Sequence, residues 1–270
     1  MINGDLKKFS EFLDYYKENY AKPSWEISLP KPEDDDFKNG KQIPLVNSDY
    51  IMLDFDSMCK DANFYPKENL EECNRPSTVD GLYYRIIDEN KLELFLFEFK
   101  NFYFTWDNKL YYNAALKNIK GLRNCKSSKF QKGVEMLENI EQRLGNSIEC
   151  SLKIKPYESL FVVLPKIYEE YCEEKDILEC DKVDFYKLFK SKLCTIKLCI
   201  VGKKYPNDST RAYIGKLGNS LEKQYKRLDF VNVLEQHPQR LCFEKEFDSF
   251  TKKLKSHEHE NLKSLNYSGD

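Results

Sequence analysis

The chain has 270 residues, of which 41% are hydrophobic and 14% aromatic, so it can form the core of one large domain, and disorder over most of its length is excluded. Charged residues make up 33%, but they almost cancel to a net charge of −2. A general attraction to nucleic acid is therefore not expected, and any such binding must come from local basic patches.

The nine cysteines are scattered along the chain, which has only three histidines. No Cys-x-x-Cys pair is present, so a zinc site of the usual spacing is not expected. We predict reduced thiols in a cytoplasmic protein, with Cys194 and Cys199 packed as small apolar side chains. Residues 1–20 are charged, so we do not expect a signal peptide. No later stretch is long and apolar enough to span a bilayer, so we do not expect contact with a membrane.

The first part of the chain contains one clear helix. Apolar residues recur at spacings of three and four over residues 5–20, which predicts an amphipathic helix. Residues 21–47 are rich in proline and include an acidic run, which predicts a surface linker without regular structure. Residues 50–59 fit either a strand or a short helix capped by Ser48, and periodicity does not choose between them.

Two β-rich runs at residues 81–87 and 91–100 predict an antiparallel hairpin, because the turn-forming triplet Asp88-Glu89-Asn90 joins them. A register with Ile87 opposite Lys91 would pair Arg85 with Glu93 on an outer face. On the inner face, this register sets three pairs opposite each other: Leu82 and Leu96, Tyr84 and Leu94, Ile86 and Leu92.

Downstream residues predict further helices and strands. Helices are expected at 113–123, at 130–144, from Pro156 to about Cys172 with an interruption at Pro165, and at 211–228. Strands are expected at Cys194–Val201 and at 230–234. We therefore predict one α/β domain over residues 1–243, with 21–47 as a linker-like insertion, and a charged, partly flexible tail over 244–270.

The hairpin also predicts a chemical site. Glu98 and Lys100 continue the strand face of Leu92, Leu94 and Leu96, and the same register places Asp80 opposite Glu98. Opposed residues have Cβ atoms about 4.5–5.5 Å apart, so the two carboxylates would repel unless a cation lay between them. Mg²⁺ (or Mn²⁺) suits such a site, and Lys100 could stabilise developing charge or orient an attacking water.

The placement of Asp80 before one strand and of Glu98-Phe99-Lys100 at the end of the next resembles the PD-(D/E)xK nuclease superfamily. The resemblance implies a restriction-endonuclease-like core, with a mixed central β-sheet and flanking helices. It implies that Asp80 and Glu98 bind the metal and that Lys100 is catalytic. It also implies a further upstream acid, for which Glu11, Asp54, Asp56, Glu71 and Glu72 are all candidates.

The chain departs from the family pattern at the proline that often directly precedes the aspartate. Pro76 lies four residues before Asp80. A simpler interpretation of the same residues remains open: Glu98 and Lys100 could form a strand-end ion pair, and Asp80 could be a turn residue before Gly81.

A basic run without intervening acids follows the hairpin and consists of Lys117, Lys120, Arg123, Lys126, Lys129 and Lys132. It could contact a phosphate backbone near the site, or it could be the solvated surface of a helix and loop. The expected function is a metal-dependent nuclease acting on nucleic acid, DNA by family resemblance, in defence or repair. The alternative is a non-catalytic module that binds nucleic acid or a protein on the same fold. A homo-oligomer is compatible with the sequence.

Overall fold

The structure, a computed structural model, describes residues 3–31, 40, 42–62, 76–100, 152, 154–191, 193–202, 223, 234–243 and 246–255. A six-stranded mixed sheet with the order β1-β2-β3-β4-β5-β6 forms its centre. The strands are β1 (Ala21–Pro23), β2 (Ile51–Asp54), β3 (Gly81–Asp88), β4 (Lys91–Lys100), β5 (Cys194–Gly202) and β6 (Leu234–Phe243). Strands β1 to β4 pair antiparallel, whereas β5 is parallel to both β4 and β6. The predicted α/β class, with a mixed sheet and flanking helices, is confirmed.

The described helices are α1 (Gly4–Tyr20), α2 (Ser24–Ile27), α3 (Phe55–Asp61), α4 (Leu164–Glu174) and α5 (Phe185–Lys190), with a 3₁₀ turn at Glu179–Asp181. A further helix over residues 246–255 is called the C-terminal helix below. A helical segment over 154–158 continues through a π-helical turn, Ser159–Val163, into α4. The predicted interruption at Pro165 is confirmed, because the wide π turn ends just before this residue, which has no N–H for the α-helical ladder.

Helix α1 confirms the helix predicted over residues 5–20. Leu6, Phe9 and Leu13 are buried on its inner side, and Phe12 packs edge-on against Tyr168 of α4 with ring centroids 5.1 Å apart. Asn3 caps this helix, because its side-chain oxygen accepts the N–H of Asp5 at 3.1 Å. Apolar packing and a local cap therefore agree on the same boundary.

Part of the stretch expected to be an irregular linker has regular structure. Its first residues form β1, which pairs with β2 through Ala21 and Leu53, and then α2, which buries Ile27. The prediction was wrong here because proline is compatible with an edge strand that pairs on one side, as β1 does through Pro23.

Residues 50–59 turn out to contain both structures that the sequence left open. Strand β2 ends at Asp54, and α3 follows at once. The cap of α3 is the Asp54 carboxylate, which accepts the N–H of Ser57 at 3.0 Å. Ser48 instead lies before β2, where its backbone carbonyl accepts the hydroxyl of Ser24 at 2.9 Å.

The hairpin register is confirmed over most of its length. The observed pairs include Leu82 with Leu96, Tyr84 with Leu94, Arg85 with Glu93, and Ile86 with Leu92. At the turn the prediction was wrong: Asp88, not Ile87, lies opposite Lys91. A bulge between Ile86 and Asp88 accounts for the shift, since it adds one unpaired residue to β3 and leaves a two-residue turn.

Two apolar layers cover the central strands. The face of Leu92, Leu94 and Leu96 packs against α1 and α4. The opposite face, on which Phe95 and Phe97 lie, packs against Phe247, Phe250 and Leu254 of the C-terminal helix. The face predicted to be outer is therefore covered, which explains why β4 has an almost continuous apolar sequence.

Other predictions meet the described residues only in part. Strand β5 is confirmed, and Cys194 and Cys199 are buried in it as free thiols. Strand β6 spans Leu234–Phe243, and residues 230–233 of the strand expected at 230–234 lie outside the described residues. The helices expected at 113–123 and 130–144 lie outside the described residues, as does most of 211–228. None of the described helices has the length and apolar character needed to cross a membrane.

Candidate active site

Asp80 lies directly before β3, and its side chain is only 5% exposed. Its Oδ2 accepts the N–H of Phe99 at 2.7 Å, and its Oδ1 accepts the ammonium of Lys31 at 2.7 Å. The β3–β4 ladder ends with the pair Gly81 and Phe97, one pair short of the predicted opposition of Asp80 and Glu98. The Asp80 carboxylate satisfies the next N–H of β4, so it lies at the end of the strand that carries Glu98.

Glu98 is the most buried acid of this region, with a side chain 1% exposed. Both of its oxygens accept the ammonium of Lys155, at 2.8 and 3.1 Å. Glu98 also lies on the inner face of a strand that is covered on both sides. A carboxylate in such a place is stable only with a paired cation and good hydrogen bonds, which Lys155 provides.

A third acid, Asp56, joins the site through Lys31. The Lys31 ammonium lies 2.9 Å from Asp56 Oδ2 and 2.7 Å from Asp80 Oδ1, so it bridges two carboxylates. Asp56 also pairs with Lys60 at 3.1 Å and accepts the Thr78 hydroxyl at 3.1 Å. Helix α3 holds Asp56 here, because the N–H of Phe55 donates to the Asp80 carbonyl at 3.0 Å.

Among the upstream acids that the sequence left open, Asp56 shares a lysine with Asp80. Asp54 caps α3 and pairs with Lys22 at 3.1 Å. Glu11 is an exposed residue of α1 that pairs with Lys7. Glu71 and Glu72 lie outside the described residues.

The shared charges shift the pKa values of this site in opposite directions. Burial alone would raise the pKa of Asp56, but Lys31 and Lys60 outweigh it and lower the pKa from 3.8 to about 2. Burial alone would lower the pKa of Lys31, but Asp80 and Asp56 raise it above its ordinary value of 10.5. Both groups therefore remain charged across the neutral pH range.

The helical segment that carries Lys155 also positions the residues before Asp80. The Ser159 hydroxyl accepts the N–H of Val79 at 3.0 Å, and the Glu158 carboxylate accepts the N–H of Ser77. The counter-ion of Glu98 and the loop that carries Asp80 are therefore fixed by the same short stretch of chain.

Other predicted site residues are described only in part. Lys100 ends β4 opposite Gly202 of β5, and its side chain is not among the described atoms. The basic residues Lys117, Lys120, Arg123, Lys126, Lys129 and Lys132 all lie outside the described residues.

Neither Lys31 nor Lys155 was predicted from the sequence to belong to the site. Lys31 lies in the proline-rich stretch and has no periodic pattern around it. Lys155 directly precedes Pro156, which the sequence placed in the first turn of a helix, where the helix dipole disfavours a cation, so an acidic partner should have been sought.

Asp56, Asp80 and Glu98 carry carboxylates, the ligand type that hard divalent cations prefer. The Lys31 ammonium lies between the Asp56 and Asp80 carboxylates and pairs with both. As arranged here, no group of three or more His, Cys, Asp or Glu side chains among the described residues is placed to hold a metal ion.

No protein-family model matches this chain, and neither a curated protein nor a solved structure matches it significantly.

Proposed function

We propose that this chain is a Mg²⁺- or Mn²⁺-dependent nuclease of the PD-(D/E)xK type that hydrolyses phosphodiester bonds in DNA. The observation that carries the proposal is the burial of Asp80 and Glu98 at the shared end of β3 and β4, where the Asp80 carboxylate accepts the N–H of Phe99. When well-packed apolar residues replace such a buried ion pair, the protein is often as stable as before or more stable. A chemical role would explain why acids occupy this position.

The order of elements also supports a restriction-endonuclease-like core. Helix α1 precedes the antiparallel strands β2, β3 and β4, and a connection that includes α4 and α5 leads to β5, which is parallel to β4. Asp80 and Glu98 lie at one end of the central strands, and α1 and α4 cover the inner face of Leu92, Leu94 and Leu96 next to them.

In this proposal, Asp80 and Glu98 hold the cation, with Asp56 beside them. A bound Mg²⁺ or Mn²⁺ would polarise a phosphoryl oxygen and lower the pKa of a water molecule. Lys100 would stabilise the negative charge that develops on the phosphate. Contacts from the basic run Lys117–Lys132 to phosphates would hold the substrate without reading its sequence.

The test is cleavage of single- and double-stranded DNA and RNA by the purified chain, with Mg²⁺, Mn²⁺ or EDTA. We expect the chain to cleave DNA only when the metal is present. Asp80→Asn and Lys100→Ala should each abolish this cleavage and leave the circular dichroism spectrum unchanged. Absence of cleavage of every substrate, together with absence of metal binding by calorimetry, would refute the proposal.

One observation favours the second candidate, a non-catalytic binding module on this fold. Lys155 and Lys31 already neutralise Glu98 and Asp80, so these acids have a structural partner without any metal. In that case the chain would bind nucleic acid or a protein with equal affinity in EDTA and in Mg²⁺, and Asp80→Asn would leave binding unchanged.

A further inference from the structure

Lys31 differs from the other lysines of the site in how it is placed. Its ammonium lies between the carboxylates of Asp56 and Asp80, at 2.9 and 2.7 Å, and its side chain is 29% exposed. Lys60 pairs with the same Asp56 oxygen at 3.1 Å but is 52% exposed. Lys31 is therefore the more enclosed of the two cations on Asp56, and it is the one that also reaches Asp80.

Among the described side chains of the site, negative and positive charges are equal in number. Asp56, Asp80 and Glu98 carry three negative charges, and Lys31, Lys60 and Lys155 carry three positive charges, each in an ion pair of 3.1 Å or less. A divalent cation on the same oxygens would leave an excess of two positive charges. Since like charges at such distances repel strongly in a partly buried site, cation binding requires at least one ammonium to withdraw.

The backbone around each lysine indicates which one withdraws. Lys155 lies in a helical segment that is tied to the Asp80 loop through Ser159. Lys31 follows α2 in a stretch without helix or strand, so its side chain can leave without the unwinding of an element. It also contacts both Asp56 and Asp80, so its departure removes one ion-pair partner from each of two carboxylates.

We propose that Lys31 is an internal counter-cation that competes with a divalent cation for Asp56 and Asp80, and thereby sets the cation concentration at which the site fills. The inference rests on the proposed cation site and adds its regulation. In the absence of the cation, Lys31 keeps the buried carboxylates paired. When the cation binds, Lys31 moves into solvent.

The first test is calorimetric titration of Mn²⁺ and Mg²⁺ into the wild-type chain, Lys31→Met and the matched control Lys60→Met. We expect Lys31→Met to bind the cation about tenfold more tightly, in the usual range of coupling between two ligands, and Lys60→Met to change much less. In EDTA, Lys31→Met should unfold at a lower temperature than wild type, and Mn²⁺ should restore it. A merely structural ion pair would lose stability without this rescue.

The second test uses the unaltered chain, and so does not depend on the folding of Lys31→Met. Amine acetylation, followed by peptide mass spectrometry, should label Lys31 faster in Mn²⁺ than in EDTA. Lys7, which is exposed on α1, should label at the same rate in both.

Three outcomes would overturn the inference. Equal cation affinity in wild type and Lys31→Met would do so, as would labelling of Lys31 that ignores Mn²⁺. Absence of cation binding to any variant would remove the inference together with the proposed site, and this result is distinct from the first two.

Discussion

Two clusters of buried charge lie on opposite faces of β4 and are built in different ways. The mid-sheet cluster consists of Arg85, Glu93 and Lys197, which come from the neighbouring strands β3, β4 and β5. The strand-end cluster consists of Lys31, Asp56, Asp80, Glu98 and Lys155, which come from strand ends, loops and helix starts.

The mid-sheet cluster has one acid between two cations. Arg85 and Glu93 are a register pair, with side chains 10% and 7% exposed, and Lys197 reaches the same carboxylate from β5. Arg85 also donates to the carbonyl of Leu254 at 3.2 Å, which ties the C-terminal helix to the sheet. Here the regular ladder itself holds the charges together, so we assign this cluster to stability.

The strand-end cluster has three acids, and two of them, Asp56 and Asp80, share Lys31. Its cations come from segments that the sheet does not hold in register. If the proposed function is correct, burial of charge alone does not mark a functional site, because both clusters are buried and only the strand-end cluster would be functional.

The largest effect should separate the buried glutamates of the two clusters. Glu98→Gln should reduce metal-dependent cleavage about 10³-fold, equivalent to about 4 kcal/mol of transition-state stabilisation, because it removes a charged metal ligand. Glu93→Gln, on the other face of β4, should cleave at the wild-type rate below its melting temperature. Equal losses in the two variants would show that burial, not the site, explains the first result.

The free energy of unfolding should rank the same two variants in the opposite order. Glu93→Gln should lower the free energy of unfolding by about 3 kcal/mol, because Arg85 and Lys197 lose their shared acid inside the sheet. Glu98→Gln, measured in EDTA, should lose less, since it removes the acid of one cation, Lys155, whereas Glu93→Gln removes the acid that two cations share. Urea denaturation followed by circular dichroism measures both values, and a larger loss in Glu98→Gln would contradict the comparison.

Acid should weaken the mid-sheet cluster in a defined pH range. Burial alone would raise the pKa of Glu93, but Lys197 and Arg85 outweigh it and lower the pKa below 4.5. A lowered folded-state pKa means that this stabilisation is fully present above the unfolded-state value, about 4.3, and is lost as pH falls through the folded-state value. Urea midpoints between pH 6 and pH 3 should therefore show wild type and Glu93→Gln converging only in acid. Curves that stay parallel would mean that Glu93 does not titrate in this range.

The smallest effect is expected at Lys197, whose side chain is 27% exposed and which shares Glu93 with Arg85. Lys197→Met should lower the free energy of unfolding by about 1 kcal/mol or less. The same urea experiment measures it. A loss as large as that of Glu93→Gln would mean that Lys197, not Arg85, is the main partner of the acid.

Sequence alone determined the elements whose pattern is local. Alternation along residues 81–100 predicted the hairpin and the Arg85–Glu93 pair, because strand period and side-chain charge both act within a few residues. Apolar spacing likewise predicted α1, and Pro165 predicted the interruption before α4. For the site, the sequence singled out Asp80 and Glu98, which the structure brings to one strand end.

Only the tertiary structure decided what surrounds those acids. Lys31 lies 49 residues from Asp80, and Lys155 lies 57 residues from Glu98. The C-terminal helix covers a face that alternation had predicted to be outer. Local periodicity indicates which side of a strand is apolar. Which distant lysine or helix contacts that strand depends on how segments far apart in the sequence pack together. The counter-ions of a buried site are therefore set by packing and not by any pattern within one element.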